Sequence, residues 1–259
     1  MGANNIIYKL KRYNHIPEMG NKAAGLQVLL RLGKQVPETY VVTAQAWRRS
    51  QQDDKQLNQQ IANEIRTNLD PNSLYAVRSS ANLEDSFDTS FAGLFSTVLN
   101  VQGYYDIQQA ISSVWASASS LVIQEHLQKL DLQSDHLWMA VLIQEMITPF
   151  YSGVVFSRNP ITGTHETVIE AVSGLGSQLV QDGITPFRWV YQRGEFREEP
   201  PSSQLPQEVI TEIIHETDDL SRRCKKDLDL EWVYDGKTLY WLQMREITAL
   251  RNLPMYSNQ

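Results

Sequence analysis

The sequence predicts an α+β fold in which short strands follow one another in the middle of the chain and helices flank them. Between residues 74 and 192 most apolar segments have the length and the alternation of strands. Strands and helices do not alternate strictly, as they would in a doubly wound parallel sheet. With 42% hydrophobic and 20% charged residues, the 259-residue chain has an ordinary globular composition and can bury a sizeable core.

Four segments have helical character. Residues 22–32 carry leucines on one face, and Pro37 follows the end of this segment. Residues 50–63 are rich in Gln and Asp and predict a solvated helix. Residues 107–130 and 206–226 show apolar residues at helical spacing.

The remaining apolar segments predict strands at residues 40–43, 75–79, 94–101, 137–146, 152–156, 167–171 and 187–192. Two further strands, 228–234 and 239–245, flank Asp235-Gly236, which is a strong hairpin turn signal. No internal repeat or low-complexity linker divides the chain, so we expect one compact unit or two closely associated lobes.

Charge and cysteine content exclude several classes of function. Lys and Arg number 23 and Asp and Glu number 30, which gives a net charge of −7 and argues against a nucleic-acid-binding protein. The single cysteine, Cys224, cannot form an internal disulfide. No signal-peptide pattern and no apolar run of about 20 residues occurs. We therefore expect a cytoplasmic protein that does not span a membrane.

The two C-terminal strands each alternate between apolar and polar residues. Their even-numbered residues predict a core-facing side: Leu228, Leu230, Trp232, Tyr234, Tyr240, Leu242 and Met244. Their odd-numbered residues include four polar side chains: Asp229, Glu231, Gln243 and Arg245. A two-residue loop would pair odd with even positions, whereas a three-residue loop over residues 234–236 places the four polar residues on one face. We predict the three-residue loop, with Gly236 in the left-handed conformation.

The polar face of this hairpin has two interpretations. It is either the solvated face of an antiparallel sheet or a binding site. Val233, Leu239 and Trp241 are also odd-numbered, so we expect the face to be partly covered. Carboxylate and amide oxygens are ligands for a hard cation such as Mg²⁺, and an arginine beside them binds a phosphate oxygen. The pattern favours a metal-assisted phosphate site.

Two other basic residues stand at positions suited to an anion. Lys22 opens a predicted helix, where its charge is slightly unfavourable against the helix dipole, and Arg78 ends an apolar strand. Each residue is either a phosphate ligand or an ordinary solvated side chain. No P-loop, dinucleotide fingerprint or catalytic triad is present, and the five histidines have no metal-binding spacing.

Five blocks of the sequence resemble the ATP-binding domain shared by phosphoenolpyruvate synthase, pyruvate phosphate dikinase and rifampicin phosphotransferase. They are GNKAAGLQVLLRLGKQVPETYVVTAQAW, AVRSSANLEDSFDTSFAG, LIQEMITPFYSGVVFSRNPITG, VIEAVSGLG and DLEWVYDGKTLYWLQMREIT, which occur in the family's order from Gly20 to Thr248. The resemblance implies an ATP-grasp fold with two α+β lobes and nucleotide in the cleft between them. It places the N-terminal lobe, with the phosphate-side residues, at 1–135 and the C-terminal lobe, with the adenine hinge and metal hairpin, at 136–259.

The resemblance also assigns roles to individual residues. The group that would act on the phosphates consists of Lys22, Arg78 and Arg245, supported by Asp229. Glu231 and Gln243 would bind Mg²⁺. Nucleotide contacts would come from the loop residues Ser90, Ala92 and Gly93 and from the adenine hinge residues Gln144, Glu145 and Met146.

The implied function is that of an ATP-dependent phosphotransferase subunit. The family's histidine-bearing swivelling domain and pyruvate-binding barrel are absent from these 259 residues, so we expect a separate partner protein to supply a phospho-accepting histidine. Two alternatives remain open: a non-catalytic nucleotide-binding regulatory module, favoured by the shortened segment between Trp47 and Leu74, and a direct kinase of a small molecule. The final acceptor, the release of ADP or of AMP and Pi, the retention of turnover and the oligomeric state also stay open.

Overall fold

The computed structural model describes residues 5–52, 54–84, 94–133, 136–174, 187–203 and 205–247. The chain divides into two compact units. The first comprises Met1–Arg31 and Val36–Met146, and the second comprises Leu32–Gln35 and Ile147–Gln259. Each unit contains one antiparallel sheet with helices, which confirms the predicted α+β class.

The first unit is built on a five-stranded sheet of order β1-β2-β5-β3-β4. Its strands are β1 (Ile7–Lys9), β2 (Thr39–Val42), β3 (Tyr75–Ala81), β4 (Thr97–Val101) and β5 (Met139–Glu145). Its helices are α1 (Gly20–Arg31), α2 (Ala44–Ser50), α3 (Leu57–Asn68), α4 (Tyr104–Ser117) and α5 (Leu121–Lys129). Apolar residues of α3, α4 and α5 form one buried cluster with alternate residues of β3 and β5, including Val77 and Val141.

Two predicted helices have different bounds in the structure. The solvated helix predicted at 50–63 is replaced by α2 and α3, because Asp54 accepts the backbone N–H of Gln56 and the guanidinium of Arg49 and so ends the helical path. The segment 107–130 is interrupted between α4 and α5, where the Ser120 side chain accepts the N–H of Ile123 and caps the second helix.

The second unit is built on a six-stranded sheet of order β11-β10-β6-β7-β8-β9. Its strands are β6 (Tyr151–Phe156), β7 (Thr167–Ser173), β8 (Phe187–Gln192), β9 (Glu195–Glu198), β10 (Leu228–Tyr234) and β11 (Leu239–Glu246). Its helix, α6 (Gln207–Cys224), packs against β6 and β10. Strand β9 was not predicted. It pairs with β8 through a tight turn in which Arg193 and Gly194 both have positive φ.

Large aromatic side chains fill the core of the second unit. Trp189, Trp232 and Trp241 are all fully buried. Gly153 of β6 lies opposite Trp232 on one side and Ala171 on the other. A Cβ atom at Gly153 would lie 2.0 Å from the carbonyl oxygen of Glu170, so this strand position accepts glycine alone.

The division of the chain differs from the predicted lobes. The boundary predicted between residues 135 and 136 assigned β5 and the segment 144–146 to the C-terminal lobe, whereas the first unit runs to Met146. The reason is strand pairing: β5 lies between β2 and β3 in the first sheet and pairs with both along its length.

Candidate functional site

The hairpin β10–β11 brings the four predicted polar residues onto one face. Asp229 lies directly opposite Arg245, and Glu231 lies directly opposite Gln243. Directly opposed residues in an antiparallel pair share a face, with Cβ atoms about 4.5–5.5 Å apart. The prediction that these four side chains lie together is therefore confirmed.

A four-residue turn and a β-bulge set this register, rather than the predicted three-residue loop. Tyr234 pairs with Leu239, so four residues, 235–238, form the turn, and the register then shifts by one residue at a bulge next to Glu231 and Trp232. Leu242 is the extra residue of β11 at this bulge. A four-residue turn alone would pair odd with even positions, and the bulge restores the odd-with-odd pairing at the site.

The bulge also corrects the predicted faces of β11. On the turn side of the bulge Trp241 lies opposite Trp232, so Trp241 and Leu239 belong to the apolar side of β10 rather than to its polar face. Both are buried, whereas Tyr240, Leu242 and Met244, which were predicted to face the core, are only partly buried. The N–H of Trp241 donates to the carbonyl oxygen of Gln35 (2.9 Å), which anchors this half of the strand.

Asp229 and Arg245 form a charged pair at the site. The Arg245 Nε atom donates to Oδ2 of Asp229 (2.7 Å), and the Nη2 atom lies 2.6 Å from the same oxygen in an ion pair. Asp229 is only 6% exposed, whereas the side chain of Arg245 is 36% exposed. Burial raises the pKa of the Asp229 carboxyl above its usual value; the Arg245 charge and hydrogen bonds oppose this rise, and Glu231 adds to it. The arginine is thus fixed by a buried carboxylate while part of its guanidinium remains exposed.

Glu231 and Gln243 supply the oxygen donors of the face. Within the described ranges, no group of three or more His, Cys, Asp or Glu side chains is arranged to hold a metal ion. Glu231, which is partly buried, offers a carboxylate, and Gln243, which is buried, offers an amide oxygen. Mg²⁺ binds in proteins through one or two carboxylates together with substrate phosphates and water. This donor set fits Mg²⁺ only in company with phosphate oxygens.

Lys22 of the first unit lies in a second polar cluster. Its ammonium donates to the hydroxyl of Ser79 (3.2 Å) and to Oε1 of Glu84. Ser79 also donates to Oε1 of Glu84, at 2.8 Å, and the backbone N–H of Ala81 donates to Oε2, at 3.2 Å. Sequence reasoning did not single out Ser79 or Glu84, because no local pattern relates Glu84 to a lysine 62 positions earlier in the chain.

The start of α1 is held against β3, which places Lys22 in this cluster. The hydroxyl of Ser80 accepts the N–H of Ala23 and donates to the carbonyl of Met19. Gly20 has φ +76°, and a Cβ atom there would lie 1.9 Å from the carbonyl oxygen of Ser80. Glycine is therefore required for the helix to begin this close to the strand.

Arg78 lies on β3 between Thr97 of β4 and Leu142 of β5, and its side chain is partly buried. It belongs to the same unit as Lys22. The predicted loop residues Ser90, Ala92 and Gly93 lie outside the described residues. Their nucleotide contacts stay predictions, as do the roles of the other site residues.

The predicted adenine hinge lies at the end of β5. The buried Gln144 side chain donates to the Thr39 hydroxyl (3.2 Å). The backbone N–H of Glu145 donates to the carbonyl of Glu38, and that of Met146 donates to the carbonyl of Leu74, both at 2.8 Å. Since both amides are engaged, an adenine ring at this segment would have to be recognised through other atoms, such as backbone carbonyl oxygens.

Among the described residues no helix has both the length and the apolar character needed to cross a membrane.

Comparison with known proteins gives one family. Residues 59–199, more than half of the chain, match the family described as pyruvate phosphate dikinase, AMP/ATP-binding domain. A probable phosphoenolpyruvate synthase of Archaeoglobus fulgidus is 28% identical over 92% of this chain and 41% of its own length. A rifampicin phosphotransferase of a Streptomyces species is 32% identical over 70% of this chain and 24% of its own length. The chain therefore spans well under half the length of these relatives.

Solved structures support the fold. A dinucleotide-forming acetyl-coenzyme A synthetase from Candidatus Korarchaeum cryptofilum has a TM-score of 0.50 to this chain, at 9% identity, and the match covers 87% of this chain and 91% of that one. The likeness shows the fold alone. The two-sheet α+β arrangement is of the ATP-grasp type, as predicted.

Proposed function

Because this chain belongs to the pyruvate phosphate dikinase AMP/ATP-binding domain family, we propose that it binds ATP and transfers a phosphoryl group from it to an acceptor. The observation that carries this proposal is the cross-strand pairing of Glu231 with Gln243 and of Asp229 with Arg245. The pairing places two oxygen donors and a guanidinium on one face, which is the chemistry that a metal-bound polyphosphate requires.

Each predicted residue has a role in this proposal. Lys22, Arg78 and Arg245 bind phosphate oxygens, and Asp229 orients Arg245. Glu231 and Gln243 hold Mg²⁺, which when bound neutralises negative charge on the phosphates. The remaining nucleotide contacts come from Ser90, Ala92 and Gly93 and from Gln144, Glu145 and Met146.

Phosphoryl transfer depends mainly on positioning and charge neutralisation and requires little covalent chemistry from the protein. Fixed cations serve this purpose best, because they do not have to reorganise as charge develops during the transfer. The Asp229–Arg245 pair supports this reasoning, since its arginine is held by a hydrogen bond and an ion pair to a buried carboxylate.

We propose that the acceptor is a histidine, as the family resemblance implies, and that a separate partner protein carries it. None of the five histidines of this sequence lies in the family's acceptor motif. If ATP is converted to AMP, one phosphoryl group passes to the partner histidine and the other to water, so the products are AMP, Pi and the phosphorylated partner. Formation of AMP when a histidine-domain partner is added to the chain with ATP and Mg²⁺ tests this proposal.

A second candidate is direct phosphorylation of a small molecule, which is supported by the similarity to a rifampicin phosphotransferase. ATP consumption that depends on a metabolite and needs no partner protein distinguishes it. ATP binding without turnover under either condition would instead favour the third candidate, a non-catalytic nucleotide-binding module.

The metal site is tested by calorimetric titration of ATP in the presence of Mg²⁺ and in the presence of EDTA. We expect Glu231→Ala to weaken Mg²⁺-dependent ATP binding about tenfold or more, because it removes the charged ligand. Glu246→Ala is the matched control: Glu246 lies on β11 beside Arg245 but on the opposite face, and it forms an ion pair with Lys226 (2.7 Å). Equal binding by the two variants would contradict the metal assignment.

A further inference from the structure

We infer that Glu84 is a positioning residue that holds the Lys22 ammonium for a nucleotide phosphate. The inference rests on the proposed function and adds a residue to it. It begins from the cluster in the first unit in which Glu84 Oε1 accepts hydrogen bonds from both Lys22 and Ser79.

The carboxylate is the fixed member of this cluster. Glu84 is 2% exposed, and it is held independently of the lysine by the Ser79 hydroxyl and by the backbone N–H of Ala81. Lys22 approaches on a flexible four-carbon stem. The carboxylate therefore sets the position of the ammonium, and the ammonium does not set that of the carboxylate.

The geometry leaves the lysine able to bind a ligand. An ammonium has three N–H donors, and among the described residues Ser79 and Glu84 take two of them. The side chain of Lys22 is 15% exposed, so it is reachable from outside the cluster. A phosphate oxygen can accept a hydrogen bond from the third N–H group without breaking either existing contact.

The second unit uses the same arrangement. There a buried carboxylate, Asp229, holds Arg245, whose side chain is considerably more exposed than its partner. In both units a cation predicted to bind phosphate is therefore fixed by an acid that is itself nearly inaccessible. Desolvation of a carboxylate carries a free-energy cost, and an ion pair without a function could form at the surface without that cost.

The test compares nucleotide binding by four proteins: the unaltered chain, Glu84→Gln, Lys22→Met and the double variant. Each is titrated with ATP in the presence of Mg²⁺ and with adenosine, which lacks phosphates. In Glu84→Gln the amide oxygen can still accept from Lys22, but the amide nitrogen then faces the N–H of Ala81, so the lysine loses its charged and fixed partner.

We expect Glu84→Gln to weaken ATP binding about threefold to tenfold, which corresponds to the cost of ordering one flexible side chain on binding. Adenosine binding should change less than about twofold, within the usual error of additivity for a residue that does not contact it. In the Lys22→Met background the Glu84→Gln substitution should add no further loss.

Glu64→Gln provides the matched control. Glu64 is another carboxylate of the first unit; it is partly buried and accepts the N–H groups of Ile6 and Ile7. Thermal unfolding is expected to show that both Glu→Gln variants are folded and destabilised, whereas only Glu84→Gln should lower the affinity for ATP relative to adenosine.

The outcomes separate this inference from the proposed function. Failure of the unaltered chain to bind ATP would overturn the proposed function and this inference with it. If the unaltered chain binds ATP, three results would overturn the inference alone. Glu84→Gln could leave the affinity for ATP unchanged, could strengthen it, or could weaken it equally with and without Lys22.

Discussion

Replacing Asp229 by asparagine should separate the stability of the second unit from the proposed binding of ATP. The substitution keeps the shape of the side chain and removes its charge. In the native protein, burial raises the pKa of Asp229 even though Arg245 donates a hydrogen bond to it and forms an ion pair with it. The charged form of this carboxyl is therefore maintained at a cost to folding, as a raised pKa implies.

The sign of the pH dependence follows from this direction. A carboxyl whose pKa is higher in the folded than in the unfolded protein contributes stability below the unfolded value of 3.8, and this contribution is lost as the pH rises through the folded value. Asparagine has no such dependence. The stability of Asp229→Asn relative to the unaltered chain should therefore increase as the pH is raised from about 4.

At neutral pH we expect Asp229→Asn to change the free energy of unfolding only slightly. Arg245 is 36% exposed, so after the substitution its guanidinium can be solvated, and a lost pair of this exposure is worth about 0–1 kcal/mol. Removal of the desolvated charge offsets that loss. We expect the free energy of unfolding to change by less than about 1 kcal/mol, while ATP binding weakens about threefold to tenfold because Arg245 loses its charged partner and is held less firmly by an amide oxygen.

The assay is chemical denaturation of both proteins between pH 4 and pH 8, together with titration with ATP and Mg²⁺ at pH 7.5. A variant that loses progressively more stability as the pH rises would refute the reasoning, because the ion pair would then outweigh burial. A variant with unchanged ATP affinity would refute the positioning role of Asp229.

Three other substitutions test the packing and the donor set of the second unit. Gly153→Ala should destabilise the fold by several kcal/mol, since its Cβ would lie 2.0 Å from the Glu170 carbonyl oxygen, whereas Gly236→Ala, which meets no atom within 4 Å, should cost only about 1 kcal/mol of backbone strain. Thermal unfolding measures both, and equal losses would contradict the packing argument. Gln243→Glu places a carboxylate directly opposite Glu231, so the ligand-free protein should be less stable and Mg²⁺ should raise its melting temperature more than that of the unaltered chain. No greater response to Mg²⁺ would mean that these two side chains do not share a cation.

Local patterns in the sequence were enough to predict the α+β class and the shared face of the four hairpin residues. Alternation of polar and apolar residues is a local property, and residue parity alone limits which loops can keep Asp229 and Arg245 together. The bulge at Leu242 could not be predicted in this way, because it depends on the pairing of Trp232 with Trp241 and on the anchoring of Trp241 by Gln35.

Contacts that are distant in the sequence account for most of what was missed. The Lys22–Glu84 pair joins helix α1 to the segment that follows strand β3, and neither residue belongs to a pattern that includes the other. The predicted lobe boundary differs from the division into units for a related reason. Pairing of β5 with β2 and β3 is a long-range property, and a strand that ends near the middle of the chain does not indicate by itself which sheet it joins.

The bulge at Leu242 has a consequence for how related chains are aligned. A bulge holds one residue more than its partner strand, so it can be gained or lost through a single-residue insertion or deletion. A relative that lacks this residue can keep Glu231 opposite Gln243 simply by pairing without the bulge. Alignments of this hairpin are therefore best anchored on the cross-strand pairs, with any one-residue gap placed at position 242 rather than in the turn.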